Sequence, residues 1–397
     1  MDLPLLLAAV ERGDDDAVLE ALFDATSDEL AGDDAVALLA AAARVGRQQV
    51  VDHLVLWGVD VTRPWDGGTD PVAWAAQNGR SLVLQALLSR NDDPLSSDSP
   101  HRRALRIARD TLASGAGREA DPPPAHWAIV TDMEAALGVR HSPDELMARA
   151  LVHADPHHDD WSVSVLHLGT RADQETFDWA LEAARDTADA DRRRFGIDTM
   201  DQLAFSYGLL PLPDDAVPPF AREAEDFLRP LLRSEQDPRT LALAIGAFAT
   251  YNNAGDTVAA VLPHAYHADP RVRARVSMFL HTNTDRHQEA FAALVHLAGD
   301  SVPVTRANAL SRLLMSDVDT PELRALFTAH LTDPSFDARL EAAAGLALRG
   351  DERGRAALDE IRSGIKNMNS PGWGRLGDID YLLRKRVGAT GTTLRDH

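Results

Sequence analysis

The sequence predicts an all-α chain organised as two helical-repeat arrays in series, and three observations predict it. Gly13, Gly46 and Gly79 are evenly spaced, and the step between them falls in the range of stacked helical units. Asp237, Asp269, Asp300 and Asp333 open amphipathic stretches at nearly the same step. Only 6% of the 397 residues are aromatic while Ala and Leu abound, which suits close-packed helices better than sheets.

In the amino-terminal array each glycine sits in the same frame, with a small residue four before it and apolar residues five and nine after. The frames read Ala9, Val18, Leu22, then Ala42, Val51, Val55, then Ala75, Leu84, Leu88. The third unit is the fullest. Asp70 is placed to cap a free first-turn N–H, Pro71 follows where a missing N–H costs nothing, and Gly79 relieves the turn into Ser81–Leu88. One more period lands on Leu112, after Ala104-Leu105-Arg106-Ile107-Ala108, a fourth unit without its glycine.

This array, about residues 2–118, resembles the ankyrin repeat, whose signature runs Thr-Pro-Leu-His, Ala-Ala, Gly and a Leu-Leu pair; Asp70 stands where the family carries Thr. The resemblance implies that partners meet the finger loops and the inner helices. The loop between the second and third units is Thr62-Arg63-Pro64-Trp65-Asp66-Gly67-Gly68-Thr69, with Trp65 near its tip. A large aromatic there is the kind of anchor that dominates interface energetics, so Trp57, Arg63, Trp65 and Asp66 are the expected partner-binding residues. The alternative is that Trp65 folds back onto the neighbouring finger or onto Trp57, and Trp74 is expected in the core.

The stretch from Gly115 to Pro124 ends in three prolines and reads as non-helical, so residues 119–142 are expected as a linker. Beyond it, Asp-Pro pairs at 237 and 269 and again at 333 read as helix starts, with Asp the cap and Pro the first helical residue. With Asp300 as a further start, the segments opened are Leu241–Phe248, Val272–Leu280, Ala307–Leu314 and Phe336–Leu348, each followed by a second amphipathic segment. Asp155-Pro156 and Asp189 open earlier units, and Pro211, Pro213, Pro218 and Pro219 mark an insertion. Such paired helices resemble HEAT repeats over about residues 143–365. The expected organisation is 1–118 ankyrin-like, 119–142 linker, 143–388 HEAT-like and 389–397 a flexible tail.

The formal net charge of −22 repels phosphate, which disfavours nucleic acid and anionic membranes and favours a basic protein partner. With no cysteine there is no disulfide framework and no thiolate chemistry. The amino terminus lacks a basic signal-peptide start, and no stretch reaches the ~20 apolar residues that cross a bilayer, so a cytoplasmic location is expected. Two lysines against many arginines fit the codon bias of a GC-rich bacterial genome.

Three motifs could carry chemistry. His153-Ala154-Asp155-Pro156-His157-His158-Asp159-Asp160 has metal-ligand residue types, but Pro156 should break any helix aligning His153 with His157, so a solvated turn is expected. His264 and His267 read as a helix end. Gly372-Trp373-Gly374-Arg375-Leu376-Gly377 matches G-x-G-x-x-G in letters but lacks a preceding strand, and reads as a loop before a last helix, Asp378–Val387. No catalytic residue, cofactor or metal is expected. The expected function is therefore a non-enzymatic interaction scaffold or adaptor. The alternatives are an enzyme on a HEAT-like scaffold, similar to alkyl-purine DNA glycosylases (with Trp161 and Trp179 in a basic groove) or to bilin lyases, and an inhibitor masking a basic target.

Overall fold

The computed structural model describes residues 2–23, 25–89, 93–115, 123–209, 217–252, 256–282, 287–365 and 372–392. The described chain is helical, and its only strand-type pairing is an isolated bridge between Trp65 and Thr69. It divides into two compact units, Met1–Leu168 and Gly169–His397. No helix among the described residues is long and apolar enough to cross a membrane.

In the first unit α1 (Leu3–Arg12) pairs with α2 (Asp15–Phe23), and a short α3 (Ser27–Leu30) leads into α4 (Asp33–Val45) and α5 (Gln48–Leu56). Next come α6 (Pro71–Gln77) with α7 (Ser81–Leu88), then α8 (Pro100–Ser114) with α9 (His126–Ala136). The leading helices pack α1 on α4 and α6 on α8, while α2, α5, α7 and α9 pack one on the next. The turns follow from local chemistry. Asp2 and Asp70 cap α1 and α6, and Gly13, Gly46 and Gly79 take φ of 78°, 77° and 62°. That left-handed conformation is one that only glycine adopts without strain. The helix α8 runs straight through Leu112 and ends at Gly115, so the fourth unit turns three residues later than its period suggests.

Residues 119–142, read as a linker, carry α9, and Ile129, Val130 and Met133 lie in the same apolar core as α1–α8. What ties α9 down is Glu134, a buried carboxylate that pairs with Arg109 of α8, with His141 at 2.6 Å and with Arg149 at 2.8 Å. Burial alone would push this carboxyl up, but the hydrogen bonds from Arg109 and Arg149 outweigh it and hold it below its usual range. Arg149 lies on α10 (Pro143–Ala150), which is opened by a Ser142/Glu145 capping box; α11 (Asp159–Gly169) follows. It starts four residues after Asp155, so the Asp155-Pro156 pair belongs to the turn and does not start a helix.

In the second unit one layer is formed by α13 (Ala190–Gly208), α15 (Pro238–Tyr251), α17 (Pro270–Phe279), α19 (Pro303–Leu314), α21 (Phe336–Leu348) and α23 (Trp373–Thr392), each packed on the one before. Flanking helices are α12 (Gln174–Ala184), α14 (Ala221–Ser234), α16 (Asp256–Val261), α18 (His287–Ala298), α20 (Pro321–His330) and α22 (Glu352–Gly364). Phe248, Leu310, Phe327 and the run Ala342–Ala344 are fully buried between the layers. Each large side chain of that kind stabilises the fold by roughly 1.5–3 kcal/mol. Small residues set the spacing: a Cβ on Gly345 would stand 2.5 Å from the Phe327 ring, and one on Gly196 2.5–2.6 Å from the Ala184 nitrogen and Ala180 carbonyl of α12.

Asp189, Asp237 and Asp269 cap α13, α15 and α17 as expected. Asp300 and Asp333 do not cap α19 and α21; those helices are opened by Val302 and Ser335, two residues later. Their carboxylates accept the backbone N–H of Val302 (2.9 Å) and Ser335 (2.8 Å), and they are held by arginines of the preceding layer helix. The last helix begins at Trp373, not Asp378, so all of the G-x-G-x-x-G letters after Gly372 lie on a helix rather than a loop, and the helix reaches Thr392 within the expected tail. Pro211 and Pro213 fall outside the described residues.

Candidate functional site

Of the four residues expected to contact a partner, three have described side chains, and one of these is buried. Trp65 is 3% exposed and lies in the core of the first unit. Its ring tilts against Trp74 at 5.3 Å, and Arg44 covers it at 5.7 Å from the ring centroid. The loop closes on itself through Trp65 N–H to the Thr69 carbonyl (2.8 Å), which turns the indole inward. Trp65 is therefore a packing residue and not an exposed anchor; it folds back, as the alternative had it, but onto Trp74 rather than Trp57. Trp57 ends α5, half-buried, edge-on to His53 at 5.3 Å. Arg63 reaches back to the start of α4, paired with Asp33 and donating to the Ala31 carbonyl at 3.1 Å. The Asp66 side chain lies outside the described residues.

Beside this loop the structure opens a cleft of about 550 Å³ between Gly58–Thr62, the start of α6, the end of α7 and the start of α8. Arg103 and Asp70 face each other across it at 3.1 Å, with Asp60 nearby. Asp60 is held below its usual range by hydrogen bonds from the Thr62 hydroxyl and N–H.

The second unit carries a feature that no short motif announces. Its layer helices carry a row of charged groups in two contacting sets: Asp201 on α13 with Arg275 on α17, and Arg312 on α19 with Glu341 on α21 and Arg375 on α23. Each arginine is fixed by a neighbour. Arg275 donates to the Ala242 carbonyl (3.2 Å) and lies over Gly246, where a side chain would collide with it. Arg312 donates to the Met278 carbonyl (2.6 Å). Arg375 makes a two-point pair with Glu341 (2.6 and 2.9 Å) and donates to Ser311 (3.0 Å). Asp201 keeps a fifth of its side chain in contact with solvent, yet surrounding protein pushes its carboxyl up, with Arg275 at 3.8 Å opposing. Burial and then the nearby Arg375 push the Arg312 guanidinium down, although its side chain is solvent-accessible. Groups that are both accessible and crowded by protein are recessed. They could have been found from sequence only by knowing which turn of each helix faces this side.

The other candidates sort plainly. Trp161 is wholly buried and offers no free aromatic face of the kind a base-binding groove needs, and Trp179, half-buried, packs at right angles to Phe195 (6.1 Å). His264 and His267 belong to a turn, where His267 accepts the Asp269 N–H at 3.0 Å. The histidines of 153–160 are a different case. Among the described residues His153, His158 and Asp160, though not His157, bring one ligand-type atom each to within 4.8 Å of one another.

No protein-family model matches the sequence, and a search of curated proteins finds no match.

Proposed function

We propose that this chain is a non-enzymatic binding protein built of helical repeats, ankyrin-like over about residues 2–118 and HEAT-like over about residues 143–365. It acts in the cytoplasm as a scaffold or adaptor that holds a protein partner on its stacked helices. The row Asp201, Arg275, Arg312, Glu341 and Arg375 carries this reading. Its members come from helices of one layer, and hydrogen bonds already orient the arginines before any partner arrives. Side chains fixed in this way lose little entropy on binding. A row spread over so many helices matches an extended protein segment better than a small molecule. The net charge of −22 steers a basic partner toward the chain and repels nucleic acid.

The test is capture of crosslinked partners from the host cytoplasm with wild type and with Arg312→Glu, a substitution at an accessible site. One stoichiometric protein partner whose capture changes in the variant supports the reading, a gain where basic groups of the partner meet this position and a loss where its carbonyls or carboxylates do. Nucleic acid or a pigment in place of protein, or a protein partner indifferent to the variant, overturns it.

A further inference from the structure

The turn between α10 and α11 brings together three groups that the sequence separates by a proline. Ala154 takes a left-handed φ of 51°, and the chain doubles back so that the His153 and His158 rings lie with centroids 4.0 Å apart. Asp160, in the first turn of α11, is 1% exposed. Its Oδ1 accepts the Ala128 N–H at 2.7 Å, but its Oδ2 is buried without a hydrogen-bond donor. That oxygen faces His153 Nε2 at 3.5 Å and His158 Nδ1 at 3.7 Å, both too long for hydrogen bonds. A buried carboxylate oxygen left without a donor is costly, and two ring nitrogens converge on it.

We propose that His153, His158 and Asp160 form a binding site for a divalent transition-metal ion, zinc by the chemistry of its ligands. Two imidazole nitrogens and one carboxylate oxygen are the donor set of an open zinc site, with a fourth position for water. Ligands at ~2.0–2.2 Å from a tetrahedral ion stand roughly 3.3–3.5 Å apart, so the gaps of 3.5 and 3.7 Å to Asp160 need only a slight contraction, while the two histidine nitrogens, within 4.8 Å of each other, are brought together by the ion.

The surroundings match what such a site requires. Metal-binding histidines are usually oriented by a bond from the other ring nitrogen. The His158 Nε2 lies 3.3 Å from the Pro123 carbonyl. The Asp160 N–H donates to His158 Nδ1 at 3.2 Å, which places a lone pair on that nitrogen; the ion would replace this long bond. An entry path exists as well. His158 also lines a cleft of about 250 Å³ with Arg80, Ser81 and Asp159.

The test is titration of the chelator-treated, tag-free full chain with Co(II), read by its visible ligand-field bands and by displacement with Zn(II). The site predicts one Co(II) per chain with four-coordinate bands. Losing even an outer partner of a ligand costs 10–100-fold in affinity, so Asp160→Asn and His153→Gln should each cost at least that. Asp160→Asn keeps an acceptor for the Ala128 N–H and so preserves the fold, and His157→Gln, the adjacent exposed histidine, should bind as wild type. No saturable binding below about 0.1 mM, binding undiminished in both ligand variants, or loss in His157→Gln overturns the proposal.

Discussion

Arg306 holds Asp333 through two points, Nε at 2.9 Å and Nη2 at 2.6 Å, while its Nη1 donates back to the Asp300 carbonyl at 2.9 Å. Arg273 repeats the arrangement one helical unit earlier, pairing with Asp300 at 2.5 and 3.1 Å and donating to the His267 carbonyl at 2.9 Å. Arg339, one unit further on, makes the same backbone contact with the Asp333 carbonyl at 2.6 Å. Each arginine ties down the loop before its own helix, and Arg273 and Arg306 also clamp it to the aspartate that precedes the next.

The Arg306–Asp333 clamp has a pH signature. Hydrogen bonds from Arg306 hold the Asp333 carboxyl well below the usual carboxylate range. A carboxyl depressed in the folded state contributes stability above its unfolded value, near 3.9, and loses it as pH falls toward the folded value. Arg306→Met should therefore cost roughly 1.5–3 kcal/mol at pH 7, the worth of charged hydrogen bonds. Urea unfolding across pH should show the gap between wild type and variant narrowing below about pH 4. A gap that is constant in pH would mean that the arginine acts by packing alone.

Trp65 should behave as a core residue. Trp65→Ala should lower stability by roughly 3–5 kcal/mol, visible as an earlier denaturation midpoint. Its indole N–H is buried without a partner, so Trp65→Phe forfeits no hydrogen bond and should cost clearly less. Two equally harmless substitutions would place the ring outside the core.

Two glycines of α13 should respond with opposite sign. At Gly196 an added Cβ meets the α12 backbone at 2.5–2.6 Å, and Gly196→Ala should cost roughly 1–3 kcal/mol. At Gly208 nothing stands within 4 Å, and Gly208→Ala should leave stability unchanged or raise it by up to ~1 kcal/mol. Thermal melting of the two variants side by side decides it; equal losses would contradict the α12–α13 crossing.

Partner association should weaken with salt. If a chain of charge −22 recruits a basic protein, the on-rate should fall steeply between low and physiological ionic strength while the off-rate changes little. A salt-independent on-rate would point to an uncharged docking surface.

What could be read from the sequence was local. The caps at Asp70, Asp237 and Asp269 and the turn glycines 13, 46 and 79 act on N–H groups or φ angles within three or four residues. The period of Asp300 and Asp333 was legible too, yet their task was misread, because the arginines that hold them lie 27 residues upstream. The candidate site was less legible still. His153 and His157 have the helical spacing, but a left-handed Ala154 selects His158 instead, and Asp160 is made a partner by burial against Ala128, 32 residues away.

By itself, then, the sequence determined the helical periodicity, the helix starts at Asp70, Asp189, Asp237 and Asp269 and the net charge, since each depends on neighbours along the chain or on simple counting. Only the tertiary structure decided that Trp65 turns inward, that α9 joins the core across the expected linker, and that two histidines and an aspartate converge. Those outcomes depend on burial and on pairing between residues tens of positions apart, and such energies exist only once the helices have packed.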